Sequence, residues 1–173
     1  HVLLQSADLR GAQLIDADLS FAQLQGARLD GTEMRGVRLV GANLVDASMR
    51  GSQMQRASYN MTRLEGASMD RSDLTGSLFA KIESARGASF SSTRLDGARI
   101  IESKLDYADF SAASFNSAHL HKVAFDGSSF ARATWRGALF TNSLSLRRAW
   151  LEGALLTGIH LGHGLDAAGA CLR

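Results

Sequence analysis

Every fifth residue across the first half of this chain is large and apolar. The series runs from Leu4 and Leu9 through Leu14, Leu19, Leu24, Leu29, Met34, Leu39, Leu44, Met49, Met54, Tyr59, Leu64, Met69 and Leu74 to Phe79 without a gap. Two residues before most of these stands a small or β-branched one, as at Ala7, Ala12, Ala17, Thr32, Val37, Ser52 and Ser77. A helix repeats at about 3.6 residues and a strand at two, so neither alone produces this spacing. The period calls for a repeating backbone unit. A unit of five residues is too short to bury its apolar side chain alone, so successive units must stack.

The lattice then slips and resumes. A second run holds Phe90, Leu95, Ile100, Leu105, Phe110, Phe115, Leu120, Phe125, Phe130, Trp135 and Phe140 in the central slot, with Ala88, Thr93, Ala98, Ser103 and Ala108 among their small partners. The intervening Ala80–Ala88 segment spans two units plus one residue. A second extra residue falls near Ser143–Ser145, after which Leu146, Leu151, Leu156 and Leu161 occupy the centre. Extra residues that leave the inward lattice intact must bulge outward, as structural corrections or as protrusions for a partner. The pattern fails after Leu161. Residues 1–161 therefore read as one repeat domain, and 162–173 as a cap, a short helix or a frayed tail.

The units ADLRG (Ala7–Gly11), ARLDG (Ala27–Gly31) and SDLTG (Ser72–Gly76) resemble the pentapeptide-repeat family. The resemblance implies an all-β fold, a right-handed quadrilateral parallel β-helix of about eight four-sided coils. Central and small residues would point inward and the other three outward, with glycines such as Gly11, Gly26 and Gly31 turning the corners. Folding the chain at that coil length stacks Leu9, Leu29, Met49, Met69, Phe90, Phe110, Phe130 and Leu151 in one column. Aromatic residues then concentrate in the later coils.

Little else in the chain carries chemistry. Nineteen Lys and Arg oppose 17 Asp and Glu, and no block of like charge offers a nucleic-acid surface. No stretch approaches the roughly 18 consecutive apolar residues of a membrane-spanning helix, so no membrane insertion is expected. Cys171 is the only cysteine, which excludes an internal disulfide. His119, His121, His160 and His163 should project from one side, but no cysteine or acidic cluster accompanies them, so a solvated histidine face is expected and no metal. Arg10, Asp30, Arg50 and Asp70 should form a surface ion ladder from coil to coil. A filled square rod has no pocket for catalysis, and no catalytic residue or cofactor is assigned.

What remains is the outer surface. Phe21 and Met61 share a side, with Val40 and Ile101 nearby, and these four are the candidate partner contacts. This side is either a modest contact face or a surface covered by the remainder of a longer protein. The expected function is a non-enzymatic protein-interaction or scaffold module with a protein partner of unknown identity. Its setting would be a larger bacterial protein such as a secretion-system adaptor or effector, in the bacterial cytoplasm or secreted. An open end of the rod offers a surface for homodimerisation. The alternative is a DNA-mimicking protein that binds DNA gyrase and protects it from quinolones, as some members of the resembled family do. That mechanism needs a strongly negative face, and the net charge here is +2.

Overall fold

The backbone turns sharply every five residues. In the computed structural model, which describes residues 2–171, the residue two beyond each central residue from Leu4 to Leu156 takes a left-handed φ, as with 55° at Ser6 and 66° at Gly11; after Leu161 the left-handed residue is Gly164, three beyond. Glycine accepts this conformation freely, but Phe21, Met61, Lys81 and Tyr107 adopt it too, at about 1–2 kcal/mol each. Each corner is closed by a short turn, as where Ala12 N–H donates to the Leu9 carbonyl at 3.0 Å. Neighbouring coils exchange hydrogen bonds in both directions. Leu9 N–H donates to Arg28 O (2.8 Å), and Arg28 N–H donates back to Ala7 O (2.9 Å).

On most sides the ladder consists of single-residue parallel bridges, such as the column Asp8, Arg28, Ser48, Ser68, Ser89, Asp109, Ser129, Trp150 and Cys171. On one side the bridges lengthen into strands. These are β1 (Ser58–Asn60), β2 (Leu78–Ala80), β3 (Arg99–Lys104), β4 (His119–Ala124), β5 (Leu139–Ser145) and β6 (His160–Leu161), stacked in parallel and in sequence order. β3, β4 and β5 continue through the corner onto the adjoining side, where β7 (Leu165–Asp166) pairs with β5. No helix occurs among the described residues.

The interior is the lattice read from the sequence. Central residues from Leu19 to Leu151, and their small partners from Ala22 onward, are buried, apart from the half-buried Leu146 where the register slips. Because adjacent strands lie about 4.8 Å apart, aromatic residues in one column stack face to face. Tyr59 and Phe79 stack at 4.6 Å, Phe90 and Phe110 at 4.7 Å, and Phe115 and Trp135 at 4.1 Å. Rings from different sides meet edge to face, as Phe110 and Phe125 do at 5.4 Å and 89°. Buried hydroxyls in the small slots are satisfied by carbonyls of the preceding coil. Ser52 donates to Leu29 O (2.8 Å) and Ser72 to Met49 O (2.7 Å). Trp135 Nε1 has no partner.

Both slips leave the interior lattice in phase. At the first, Ile82 fills a small slot and Ala85 the following central one, with Glu83 and Ser84 between them and outside the ladder. Large and small have exchanged places there, which conserves the filled volume. At the second, His121 pairs with Thr141 but Val123 pairs with Leu144, so the extra residue sits at Asn142–Ser143. The segment after Leu161, expected as a cap, a short helix or a frayed tail, repeats this insertion. Phe140 pairs with Leu161 and Leu144 with Leu165, and the ladder runs on to Cys171. Residues 1, 172 and 173 lie outside the described residues.

The surface ion ladder is corrected by the structure. Arg50 reaches Asp70 at 3.7 Å, but Arg10 pairs with Asp8 on its own side at 2.6 Å and not with Asp30. Asp30 instead accepts hydrogen bonds from Ser48 Oγ and Arg50 N–H in the next coil. Outward residues two apart on one side are nearly as close as neighbours in adjacent coils, so a cation has a choice of carboxylates.

Candidate interaction surface

The strand side ends in a corner column that runs Phe21, Gly41, Met61, Lys81, Glu102, Lys122 and Asn142. Phe21 is 48% exposed and Met61 51% exposed. The Phe21 ring lies over Gly41, where an added Cβ would meet Phe21 Cε1 at 2.6 Å. That glycine makes room for the ring and leaves a continuous apolar strip from Phe21 to Met61. Val40 and Ile101 lie one column inward on the strand side and are half-buried; Ile101 pairs with Ala80 below and His121 above. The four candidate contacts thus share one edge of the rod.

The register insertions gather at the same edge, which the sequence did not reveal. Glu83 and Ser84 bulge beside Met61 and help to line a hollow of about 270 Å³ with Thr62, Arg63 and Glu65. Further along, where β3 to β5 cross the corner, Lys104, Lys122, Val123, Ser143, Leu144 and Arg147 border a shallow groove of about 480 Å³. The available signal was the large residue in a small slot, Ile82 at the first slip and Leu144 at the second. On the next corner Tyr107 is 54% exposed, covers Gly127 and carries Arg86 over its ring at 4.5 Å.

A repeated polar clip ties coils together near the groove. Asp126 accepts hydrogen bonds from Ser145 Oγ, from Arg147 N–H at 3.1 Å and from the Arg147 guanidinium at 2.9 Å. Burial would raise its pKa, but these donors together hold it below the ordinary carboxylate value. Asp106 is the opposite case: burial raises its pKa, and the nearby Asp126 carboxylate adds to the rise against the hydrogen bond from Asp126 N–H at 2.7 Å. The folded state therefore binds the Asp106 proton more tightly than the unfolded chain does. Ionisation of Asp106 on going to neutral pH costs stability, and that cost vanishes in acid. Asp106→Asn keeps the acceptor for Asp126 N–H and removes the charge. The variant should gain about 1–3 °C in Tm at pH 7 and nothing at pH 3, as measured by thermal melting.

The histidines fall where the repeat places them. His119 and His121 lie on β4 and His160 on β6, two strands further along, with His163 in the corner segment beyond. His121 Nδ1 is 2.9 Å from Thr141 Oγ1, and its Nε2 is 3.4 Å from Asn142 Nδ2. Among the described residues no grouping of three or more His, Cys, Asp or Glu could hold a metal ion, and no helix is long and apolar enough to cross a membrane.

Lattice, corners and stacked columns together define a quadrilateral β-solenoid. The family model described as pentapeptide repeats matches in 8 copies, over residues 1–31, 22–58, 93–130 and 118–158, and the chain belongs to that family. No curated protein matches the sequence significantly. Among solved structures, a trypsin-treated variant of QnrB1, a plasmid-mediated fluoroquinolone resistance protein, aligns with a TM-score of 0.74 at 20% identity, covering 98% of this chain and 84% of that one. A second trypsin-treated QnrB1 variant aligns at 0.54 with 20% identity, covering 99% and 87%. HetL, involved in heterocyst differentiation regulation in the cyanobacterium Nostoc sp. strain PCC 7120, is 27% identical over 98% of this chain and 89% of its own, with a TM-score of 0.30. At these identities the QnrB1 likeness concerns the fold.

Proposed function

We propose that this protein is a non-enzymatic interaction or scaffold module that presents the edge containing Phe21 and Met61 to a protein partner. The observation that carries this reading is the coincidence of features on one edge. Two of the exposed large apolar side chains, a bulged insertion and a hollow beside Met61 adjoin there, while the interior is filled with side chains. A rigid surface with apolar anchors between polar residues is suited to protein contact. A second contact lies at the C-terminal end. Leu156, Leu161 and Leu165 are part-exposed there and border an apolar cavity of about 200 Å³ with Trp135 and Phe140. That mouth supports end-to-end homodimerisation.

Gyrase binding by DNA mimicry is the weaker reading. No side carries an excess of carboxylates large enough for a negative face, and ion pairs such as Arg28–Asp8, Arg94–Asp73 and Arg147–Asp126 engage several of them. A duplex mimic needs an uncompensated negative surface. Phe21→Asp combined with Met61→Asp should abolish capture of a partner recovered with the wild-type protein, with the circular dichroism spectrum unchanged. Added wild-type protein should leave gyrase supercoiling unaffected. Capture that survives the double substitution removes this edge from consideration, and potent inhibition of supercoiling would favour the DNA-mimic reading.

A further inference from the structure

The strand side differs electrostatically from the other three. Its outward column pairs Leu78 with Arg99, Arg99 with His119, His119 with Leu139 and Leu139 with His160. The next column carries Ala80, Ile101, His121 and Thr141, and the corner carries Lys81, Glu102 and Lys122. Within the strands β2 to β6 themselves the only carboxylate is Glu102, which Lys122 already engages at 3.5 Å. Lys81 and Arg99 have no ion-pair partner among the described residues. On the other sides carboxylates and cations occur in comparable numbers, and some of them pair, as Arg50 does with Asp70, Arg94 with Asp73 and Arg147 with Asp126.

We infer that this side docks an acidic protein segment, and that acidification strengthens the contact. The inference rests on the reading of the protein as an interaction module and specifies the chemistry of its partner. Half-buried Leu78, Ala80, Ile101 and Leu139 form a flat apolar floor between the cations. An apolar floor with a charged rim is the build of a protein interface. It is less suited to a phosphate backbone, which is recognised chiefly through charge.

Histidine is the side chain that gains charge between about pH 8 and pH 5. Four of them lie on or beside this side, and each protonation adds a positive charge where little negative charge opposes it. The groups that face these imidazoles are Arg99 and Glu102 from β3, Lys122 on β4, and Thr141 and Asn142 from β5. His121 Nδ1 lies 2.9 Å from Thr141 Oγ1 and its Nε2 3.4 Å from Asn142 Nδ2. The stacked strands hold Arg99 and His119 on neighbouring strands, about 4.8 Å apart, and His160 two strands beyond His119.

The test is a fluorescence-anisotropy titration of labelled poly-L-glutamate, which remains largely ionised at pH 5.5, with the intact protein at pH 7.5 and pH 5.5. Vesicles containing phosphatidylserine and a DNA duplex serve as comparators. The expected result is affinity for polyglutamate about tenfold or more higher at pH 5.5, weakening with salt. His119→Gln with His121→Gln and His160→Gln should flatten the pH dependence, and Lys81→Glu with Arg99→Glu should abolish binding at both pH values. The inference is overturned by affinity that does not change with pH, by a histidine variant that retains the dependence, or by vesicles or duplex binding more tightly than the polypeptide. Absence of polyglutamate binding also overturns it. In that case the interaction-module reading still stands or falls on the Phe21 and Met61 substitutions.

Discussion

Phe110→Ala should destabilise the protein by about 3–5 kcal/mol and lower Tm by on the order of 10 °C. Phe110 is the hub of the aromatic interior. Its ring stacks between Phe90 at 4.7 Å and Phe130 at 5.2 Å and meets Phe115 and Phe125 from the neighbouring sides, each at 5.4 Å. The substitution opens a cavity that the rigid square backbone cannot close. It also weakens coupling between the coils on either side, and in a solenoid such coupling makes unfolding cooperative. A broadened or two-step melt in differential scanning calorimetry should accompany the drop. The same coil offers a partial rescue. Ala108, its small partner, is 2% exposed, and Ala108→Leu alone should overpack the interior by about 1–3 kcal/mol. Combined with Phe110→Ala, the leucine enters the vacated space. The double variant should then lose less than the sum of the two, by on the order of 1 kcal/mol. Additive losses would mean that the two slots do not share one packing volume.

The natural chain makes the same exchange at its first slip, with Ile82 in the small slot and Ala85 in the central one. That pair marks the boundary between what the sequence shows and what it hides. The inward lattice was legible because burial imposes the same demand on every coil: Leu9, Leu29 and Met49 are alike since all fill one column. Stacking of the later aromatics followed from that register alone. The placement of both insertions on one edge did not, because spacing locates an extra residue only to within a few positions. Ala80–Ala88 fits several placements, and only the burial of Ile82 and Ala85 around Glu83 and Ser84 selects one. The continuation of the ladder beyond Leu161 was hidden for a related reason, since Leu165, like Leu144 with which it pairs, is a large residue in a slot that holds a small or β-branched one in most coils.

The outer surface was less legible still. Its residues answer to local partners and not to the lattice, as the Arg10–Asp8 pair shows where an ion pair between coils was expected. Left-handed corners were no guide to Phe21 or Met61, because Ser92, Ala112 and Arg132 share that conformation. Exposure and adjacency to the bulge distinguish the two. The excess of positive charge on the strand side appears only once Arg99, His119 and His160 are placed in one column.

Deletions test the lattice itself. Asn142–Ser143 carries a residue beyond what the turn requires, since the coil before it passes the same corner with Lys122 and then Val123. Removing Ser143 should leave Leu144 paired with Val123, as Val123 is paired with Ser103, with every inward residue after it still inward. Removing Asn116 deletes an outward residue from a side that has no spare one. A four-residue side cannot span the corners, or else every later central residue moves by one position and exposes Phe125, Phe130, Trp135 and Phe140. Nothing in the composition distinguishes the two deletions, as each removes a single small polar residue from the outside of the rod. Thermal melts of the two variants, followed by circular dichroism, are the most direct measurement. Deletion of Ser143 should change Tm by about 3 °C or less, whereas deletion of Asn116 should abolish the cooperative transition of the later coils. Equal losses for the two deletions, or a wild-type melt without Asn116, would contradict a single interior lattice with its insertions carried outside.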